Sequence, residues 1–262
     1  MLLLLGLSQA YPSFLDDLGE VKIQIEDPQA IDVDISSRIL DINNQSSEML
    51  LEGDMVAPRT RNAMNCWNNY CRWQKDAAGH VTIAYTLSPD FSYYQRQKIE
   101  YALQSFHSRT CLRFVPRQEQ YDYISIESKD GCFSSLGRVG GKQVLSLNRY
   151  GCVYHGVIQH ETLHALGFQH EQTRSDRDQH VRINWDVIES DMAFNFYKQQ
   201  SDTLNTPYDY SSIMHYGRTA FSTQFGSDSI TPIPDASVRI GQRVDLSDTD
   251  ILRINRLYDC AV

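Results

Sequence analysis

His160, Glu161, His164, Gly167 and His170 fall at the spacing HExxHxxGxxH, and the chemistry these residue types could do together is metal-assisted hydrolysis. Residues four apart on a helix stand one turn above each other on the same face, so His160 and His164 can present both imidazoles to one cation. Glu161 would lie beside the metal, placed to take a proton from a water that the metal activates. Gly167 is the residue type that ends a helix in the left-handed conformation, and the turn it permits would return His170 as a third nitrogen ligand. Three protein ligands leave a fourth position open, which separates a catalytic zinc from a structural one closed by four. An HExxH pair alone is also a plain surface feature of helices. Five specified positions make one catalytic zinc per chain the expectation, with peptide hydrolysis as its use.

The elements that must position these residues can be read from periodicity. Residues 153–166 are predicted as the metal-bearing helix. Ahead of it, Val81, Ile83, Tyr85 and Leu87 alternate with His80, Thr82, Ala84 and Thr86, the pattern of a strand. Ile99, Ala102, Leu103 and Phe106 share one helix face, with Gln95, Arg96, Gln97 and Lys98 around it. Further strands are expected at residues 123–126 and 143–147. This order predicts an α+β or α/β sheet layer in the N-terminal half. Beyond Gly167 no sustained period appears until Leu246. There Ser247 can cap a helix whose third residue is Asp250, with Ile251, Ile254, Leu257 and Tyr258 on its inner side.

A second stretch, residues 209–216, places Met214 two residues before Tyr216. Alone, such a pair is ordinary core packing. Coupled to the zinc motif, it fits a turn whose methionine forms a hydrophobic floor beneath the metal. Tyr216 could then bring a phenol near the metal and stabilise the oxyanion of acyl transfer. His80, His107, His155, His180 and His215 have no ligand spacing of their own. Residues 137–141 hold three glycines but no helix start follows them, which excludes a phosphate loop, and the absence of GxSxG removes support for a serine nucleophile.

At 262 residues, 41% hydrophobic and 22% charged, the chain has the composition of a globular protein with a substantial core. No apolar run approaches the roughly 18 residues that span a bilayer, so membrane insertion is not expected. The net charge of -9 is concentrated at one end. Residues 1–61 carry 4 Lys+Arg against 11 Asp+Glu, a balance of -7, and the remainder carries 20 against 22, or -2. That distribution offers no footprint for nucleic acid. Residues 1–7 are apolar and Ala10 ends a short stretch of the kind signal peptidase accepts, although the run is short and lacks a basic start. A signal peptide over residues 1–10 is expected, with an ordinary buried segment as the other reading. Residues 31–40 and 47–51 could form short helices within an acidic leader, which also holds the sequon Asn44-Gln45-Ser46. Arg61 before Asn62 would suit a cut by a trypsin-like protease, making residues 11–61 a propeptide. Within it, Gly53 would let Asp54 approach a cleft and lie on a metal, but a Gly-Asp pair ordinarily marks a plain turn, and both readings stand. Six cysteines agree with an oxidising compartment and allow 15 pairings.

The stretches HETLHALGFQHEQTRSDRD from His160 and SSIMHY from Ser211 make the chain resemble the astacin family of metzincin zinc metallopeptidases over residues 62–260. The resemblance implies a two-lobed α+β catalytic domain over residues 62–262, with lobes of about 62–167 and 168–262. The first would hold a twisted mixed sheet and two long helices, and the second would be mostly irregular with a terminal helix. It also implies His160, His164 and His170 as zinc ligands, Glu161 as general base, Tyr216 as a labile fifth ligand, and disulfides Cys111 to Cys260 and Cys132 to Cys152. Family members carry FxGD in the propeptide, whose aspartate sits on the zinc of the zymogen. Here Leu51 stands in place of the phenylalanine while Gly53 and Asp54 match. A new N-terminus at Asn62 pairing with Glu171 is implied as well, although Cys66 and Cys71 lengthen that segment. This extra cysteine pair resembles the six-cysteine fish group that includes the choriolytic hatching enzymes. Secretion, storage as a zymogen in granules, egg-envelope glycoproteins as substrate, an activating trypsin-like protease and a monomeric state are then expected. A secreted relative acting in kidney or immune tissue is the nearer alternative, and a non-catalytic zinc-containing binding protein the more distant one.

Overall fold

The computed structural model describes residues 35–57 and 70–261. The expected signal segment, Arg61, Asn62 and Cys66 lie outside the described residues. A seven-stranded mixed sheet forms the backbone of the molecule. Its strands are β1 (Leu50–Leu51), β2 (Met55–Val56), β3 (Val81–Leu87), β4 (Leu112–Pro116), β5 (Tyr123–Glu127), β6 (Cys132–Ser134) and β7 (Lys142–Leu147), in the spatial order β1-β2-β6-β7-β5-β3-β4. β4, β3, β5 and β7 run parallel, with Val81 opposite Leu112, Tyr85 opposite Ile124 and Ile124 opposite Gln143. β6 turns antiparallel to β7, and β2 then pairs parallel with β6 at Met55 and Ser134. The α+β expectation holds, with the sheet in the N-terminal half.

Four α-helices accompany the sheet among the described residues: α1 (Ile35–Asn43), α2 (Tyr93–Gln104), α3 (His155–Ala165) and α4 (Asp248–Leu257). α2 begins where Ser92 accepts from the Gln95 amide and the Gln95 side chain accepts from the Ser92 amide, satisfying two otherwise orphaned donors. The same reciprocal pair, Ser247 with Asp250, opens α4 as its sequence predicts. α2 packs on β4 and α3, while α3 packs on β6 and β7. Ile99, Ala102, Leu103 and Phe106 are all buried there, although Phe106 lies just past the helix end. Burying a large aliphatic or aromatic side chain of this kind contributes about 1.5–3 kcal/mol. α3 is buried along nearly its whole length, which is why its sequence shows no polar stripe.

After α3 the chain becomes a series of short 3₁₀ turns, at Glu171–Thr173, Arg177–Gln179, Trp185–Val187 and Ser190–Phe196, with one further two-stranded sheet of β8 (Val181–Ile183) and β9 (Ile230–Pro232). Val181, Ile183, Phe196, Tyr216 and Ile230 form a second core there. α4 follows this region in sequence yet buries Ile251, Ile254 and Tyr258 in the first core, with α2, α3 and the sheet. Two disulfides secure the arrangement, Cys132–Cys152 and Cys111–Cys260. The second closes 149 residues, a loop that contributes about 5 kcal/mol in the chain-entropy model. Cys71 is also disulfide-bonded. No helix among the described residues is long and apolar enough to cross a membrane.

The acidic leader departs from its expected local structure. Residues 47–51 do not form a helix, because Leu50 and Leu51 pair back onto Val56 and Met55 across a tight turn with φ of 48° at Glu52 and 80° at Gly53. The other leader helix, described over Ile35–Asn43, continues past the expected end at Leu40. Ile39 belongs to the first core and Leu40 packs against the second, so α1 bridges both. Its last residue, Asn43, is buried and fully used: its amide nitrogen donates to the carbonyls of Cys132 (2.7 Å) and Gly53 (2.8 Å), and its oxygen accepts from the Cys132 amide (2.7 Å). One side chain thereby imitates a strand, continuing along β6 the pairing that β2 makes at Ser134.

Candidate metal centre

His160 and His164 project from the same face of α3, with ring centroids 4.8 Å apart. The helix then ends at Leu166. Gly167, at φ 102°, donates to the His164 carbonyl (2.9 Å), and Phe168 donates to the Leu163 carbonyl (3.0 Å). Two side chains distant in sequence satisfy the remaining carbonyls, Trp73 Nε1 on Ala165 (2.9 Å) and the Tyr258 hydroxyl on Leu166 (2.9 Å). Past this turn His170 swings back, its ring 4.7 Å from His164 and 5.2 Å from His160. All three rings are buried.

Asp54, delivered by the β1–β2 turn, completes the group. Its Oδ2 lies 3.0 Å from His160 Nε2, and its Oδ1 lies 3.2 Å from His164 Nε2 and 3.3 Å from His170 Nε2. Nε2 of His160 and Nε2 of His170 are themselves 3.3 Å apart. A tetrahedral zinc shell with bonds of about 2.0 Å sets its ligand atoms roughly 3.3 Å apart, close to these four separations. Asp54 Oδ1 and His164 Nε2 are buried and make no hydrogen bond, which leaves them suited to a metal. The outward nitrogens point to the same conclusion. His160 Nδ1 donates to the Ile213 carbonyl (2.8 Å), His164 Nδ1 to the Phe168 carbonyl (2.8 Å) and His170 Nδ1 to Glu52 Oε2 (2.8 Å). Each of these bonds fixes a tautomer that aims an Nε2 lone pair at the centre. The donor set fits zinc.

Charge around the centre is strongly organised. Burial alone would raise Asp54, but the imidazoles of His170, His164 and His160 outweigh it and hold the carboxyl well below the usual range. Burial would likewise keep His170 neutral, yet Asp54 and Glu52 raise it to about 9. The two carboxylates thus call for positive charge at this point. Glu161 is fully buried with both oxygens free of hydrogen bonds. Burial first, and the negative charge of Asp54 second, push its carboxyl well above the usual range.

The turn at residues 212–216 passes below. Met214 is buried in the first core and its carbonyl accepts from the Glu171 amide, just after His170 (3.1 Å). The Tyr216 ring lies 4.6 Å from that of His170, tilted by 56°, and its hydroxyl donates to the Glu52 carbonyl. Asp250 anchors this turn, accepting from the Ser212 hydroxyl (2.6 Å) and the Ile213 amide (2.9 Å). In sequence Asp250 reads only as a helix cap, and Glu52 carries no signal at all. Glu171 is buried as well, with both oxygens on Arg253 (2.5 and 2.8 Å) and one also accepting from the Asp209 amide (2.7 Å). Internal arginine thus already neutralises the carboxylate expected to pair with Asn62.

A family model described as Astacin, a peptidase family, matches residues 68–259. The chain is 55% identical over 260 residues to high choriolytic enzyme 1 of Oryzias latipes, covering 99% of this chain and 96% of that protein. It is 50% identical over 264 residues to low choriolytic enzyme of the same fish, again covering 99% and 96%. Among solved structures it is similar to high choriolytic enzyme 1, described as a hatching enzyme zinc-protease from medaka, with a TM-score of 0.74 and 58% identity over 76% of this chain and all of that one.

His215 lies within the turn and is held neutral. Its Nδ1 donates to the Tyr216 carbonyl (2.7 Å) and its Nε2 accepts from the Tyr208 hydroxyl (2.8 Å). Burial pushes its value down to about 4. The unfolded chain, titrating near 6.5, takes up this proton first as pH falls, so His215 leaves stability intact above about pH 6.5 and removes it between there and pH 4, by about 3 kcal/mol at the limit. His215→Gln is expected to melt lower at pH 7 but to lose less further stability between pH 7 and pH 5 than the parent, as read by thermal unfolding across that range.

Proposed function

The chain belongs to the astacin family of zinc metalloendopeptidases, and from that premise we propose that it is a secreted hatching protease made as a zymogen, with residues 11–61 as its propeptide and egg-envelope glycoproteins as its substrate. One observation carries the latency reading: Asp54 lies among His160, His164 and His170 at 3.0–3.3 Å, in the position a catalytic zinc keeps open. The leader also occupies the edge of β6, through Asn43 and β2, which an extended peptide could otherwise join. The solved hatching enzyme is covered in full by 76% of this chain, a share that leaves a remainder close in size to residues 1–61. Likeness to two choriolytic enzymes over nearly the whole chain supports the substrate and the extracellular site, and the basic Arg59 and Arg61 at the end of the acidic leader support activation by a cut before Asn62.

His160, His164 and His170 would hold the zinc, which when bound supplies Lewis-acid polarisation of the attacking water and of the scissile carbonyl. Glu161 would act as general base, taking a proton from that water and returning it to the leaving amine. In the closed form burial and the charge of Asp54 push its carboxyl well above the usual range. Departure of the leader admits water and removes that charge, and both changes favour the carboxylate a base requires. Tyr216, released from the Glu52 carbonyl, would turn its hydroxyl to the developing oxyanion and donate a hydrogen bond there. Met214 would pack beneath the histidines, held by the Asp250 anchor of its turn.

Cleavage at Arg61 is expected to release an activity that digests casein and isolated egg envelope and that a zinc chelator abolishes; intact envelope after full casein activity would remove the substrate assignment. Glu161→Ala should retain one zinc per chain while losing peptidase activity by a factor of about 10²–10⁴. Asp54→Ala should give a precursor with measurable casein hydrolysis before any cut, and a silent uncut variant would mean that the leader blocks the cleft by other contacts.

A further inference from the structure

Two of the three histidines rest on permanent parts of the fold. The outer nitrogens of His160 and His164 donate to the backbone carbonyls of Ile213 and Phe168. His170 alone has its outer nitrogen on a side chain of the leader, Glu52 Oε2 at 2.8 Å. Glu52 is 3% exposed, a deep burial for a carboxylate, and it adopts φ 48°, in the left-handed region that side chains disfavour. A glycine would meet that backbone demand without strain, so the side chain is the feature that makes this residue useful here. Its backbone carbonyl meanwhile receives the Tyr216 hydroxyl, so one residue engages both a histidine of the centre and the phenol beside it. Gly53 follows at φ 80°, where an added Cβ would lie 2.3 Å from Leu40 Cδ2; the pair is thereby wedged between α1 and the centre.

We propose that Glu52 is a positioning residue that secures His170 as a zinc ligand in the uncut chain. A carboxylate accepting the Nδ1 proton fixes the tautomer, holds the ring in the plane the metal needs and makes Nε2 a stronger donor. The leader therefore grips the metal twice, through Asp54 directly and through Glu52 behind His170, and its release leaves His170 the least supported of the three ligands. This rests on the reading of residues 11–61 as a propeptide.

The test uses the full uncut zinc-loaded chain and measures the rate at which zinc passes to a chromogenic chelator. Glu52→Ala is expected to release zinc about 10–100-fold faster than the parent, the range in which loss of such an outer partner lowers metal affinity. Glu52→Gln keeps an acceptor oxygen for the Nδ1 proton and is expected to fall between the two. After the cut at Arg61 and removal of the leader, both variants and the parent become the same molecule and should release zinc alike. Release from uncut Glu52→Ala at the parental rate would overturn the inference, as would release from Glu52→Gln as fast as from Glu52→Ala. Asp54→Ala run in parallel separates the two levels. If that variant stays silent and holds zinc as the parent does, Asp54 is not a zinc ligand of the uncut chain and the leader blocks the cleft by other contacts; if it leaks while Glu52→Ala holds zinc normally, only the role of Glu52 fails.

Discussion

The structure depends on a carboxylate whose burial demands a cation. Asp54 sits 2% exposed among three imidazoles, and one of its oxygens finds no hydrogen bond. An unpaired carboxylate in such a place is strongly destabilising, whereas a carboxylate completing a metal shell is not. On the proposed reading, zinc would serve the latent chain as a cross-link. It would tie the leader turn to α3, to the returning His170 and, through the Ile213 carbonyl that His160 Nδ1 donates to, to the turn that contains Met214.

The remaining leader contacts act on the same problem. Asn43 and β2 extend the sheet past β6, so the backbone on either side of Asp54 is hydrogen-bonded rather than stranded in the cleft. α1 lays Ile39 and Leu40 against the two hydrophobic cores, one on each side of the centre. Glu161, by contrast, has been left with nothing to hold. A fold seldom tolerates a bare buried carboxyl unless its chemistry needs it, and the proposed general base is such a need.

How much of this can be read from the residues follows the range of the interactions. His160, Glu161, His164 and His170 are legible because helix geometry and one glycine turn relate them locally. α2, α3, α4 and three parallel strands are legible from burial period. β4, β6 and the leader strands are not, since β6 and the leader strands span only two or three residues and β4 ends on a proline, and Leu50 and Leu51 pair only because Glu52 and Gly53 reverse the chain. Asp54 is legible chiefly through the FxGD resemblance, because its partners begin 106 residues away. Asn43, Glu52 and Arg253 give no local sign, as each acts on an element distant in sequence. Asp250 is visible as a helix cap and invisible as the anchor of the Met214 turn.

The central claim is that Asp54 occupies a zinc shell which cleavage of the leader opens. Zinc K-edge X-ray absorption on the same preparation, before and after the cut at Arg61, tests this directly. The account predicts three histidine nitrogens throughout, with a protein carboxylate in the shell of the uncut chain that is lost, in favour of solvent oxygen, once the leader is removed. A shell with the same ligands before and after cleavage would contradict it.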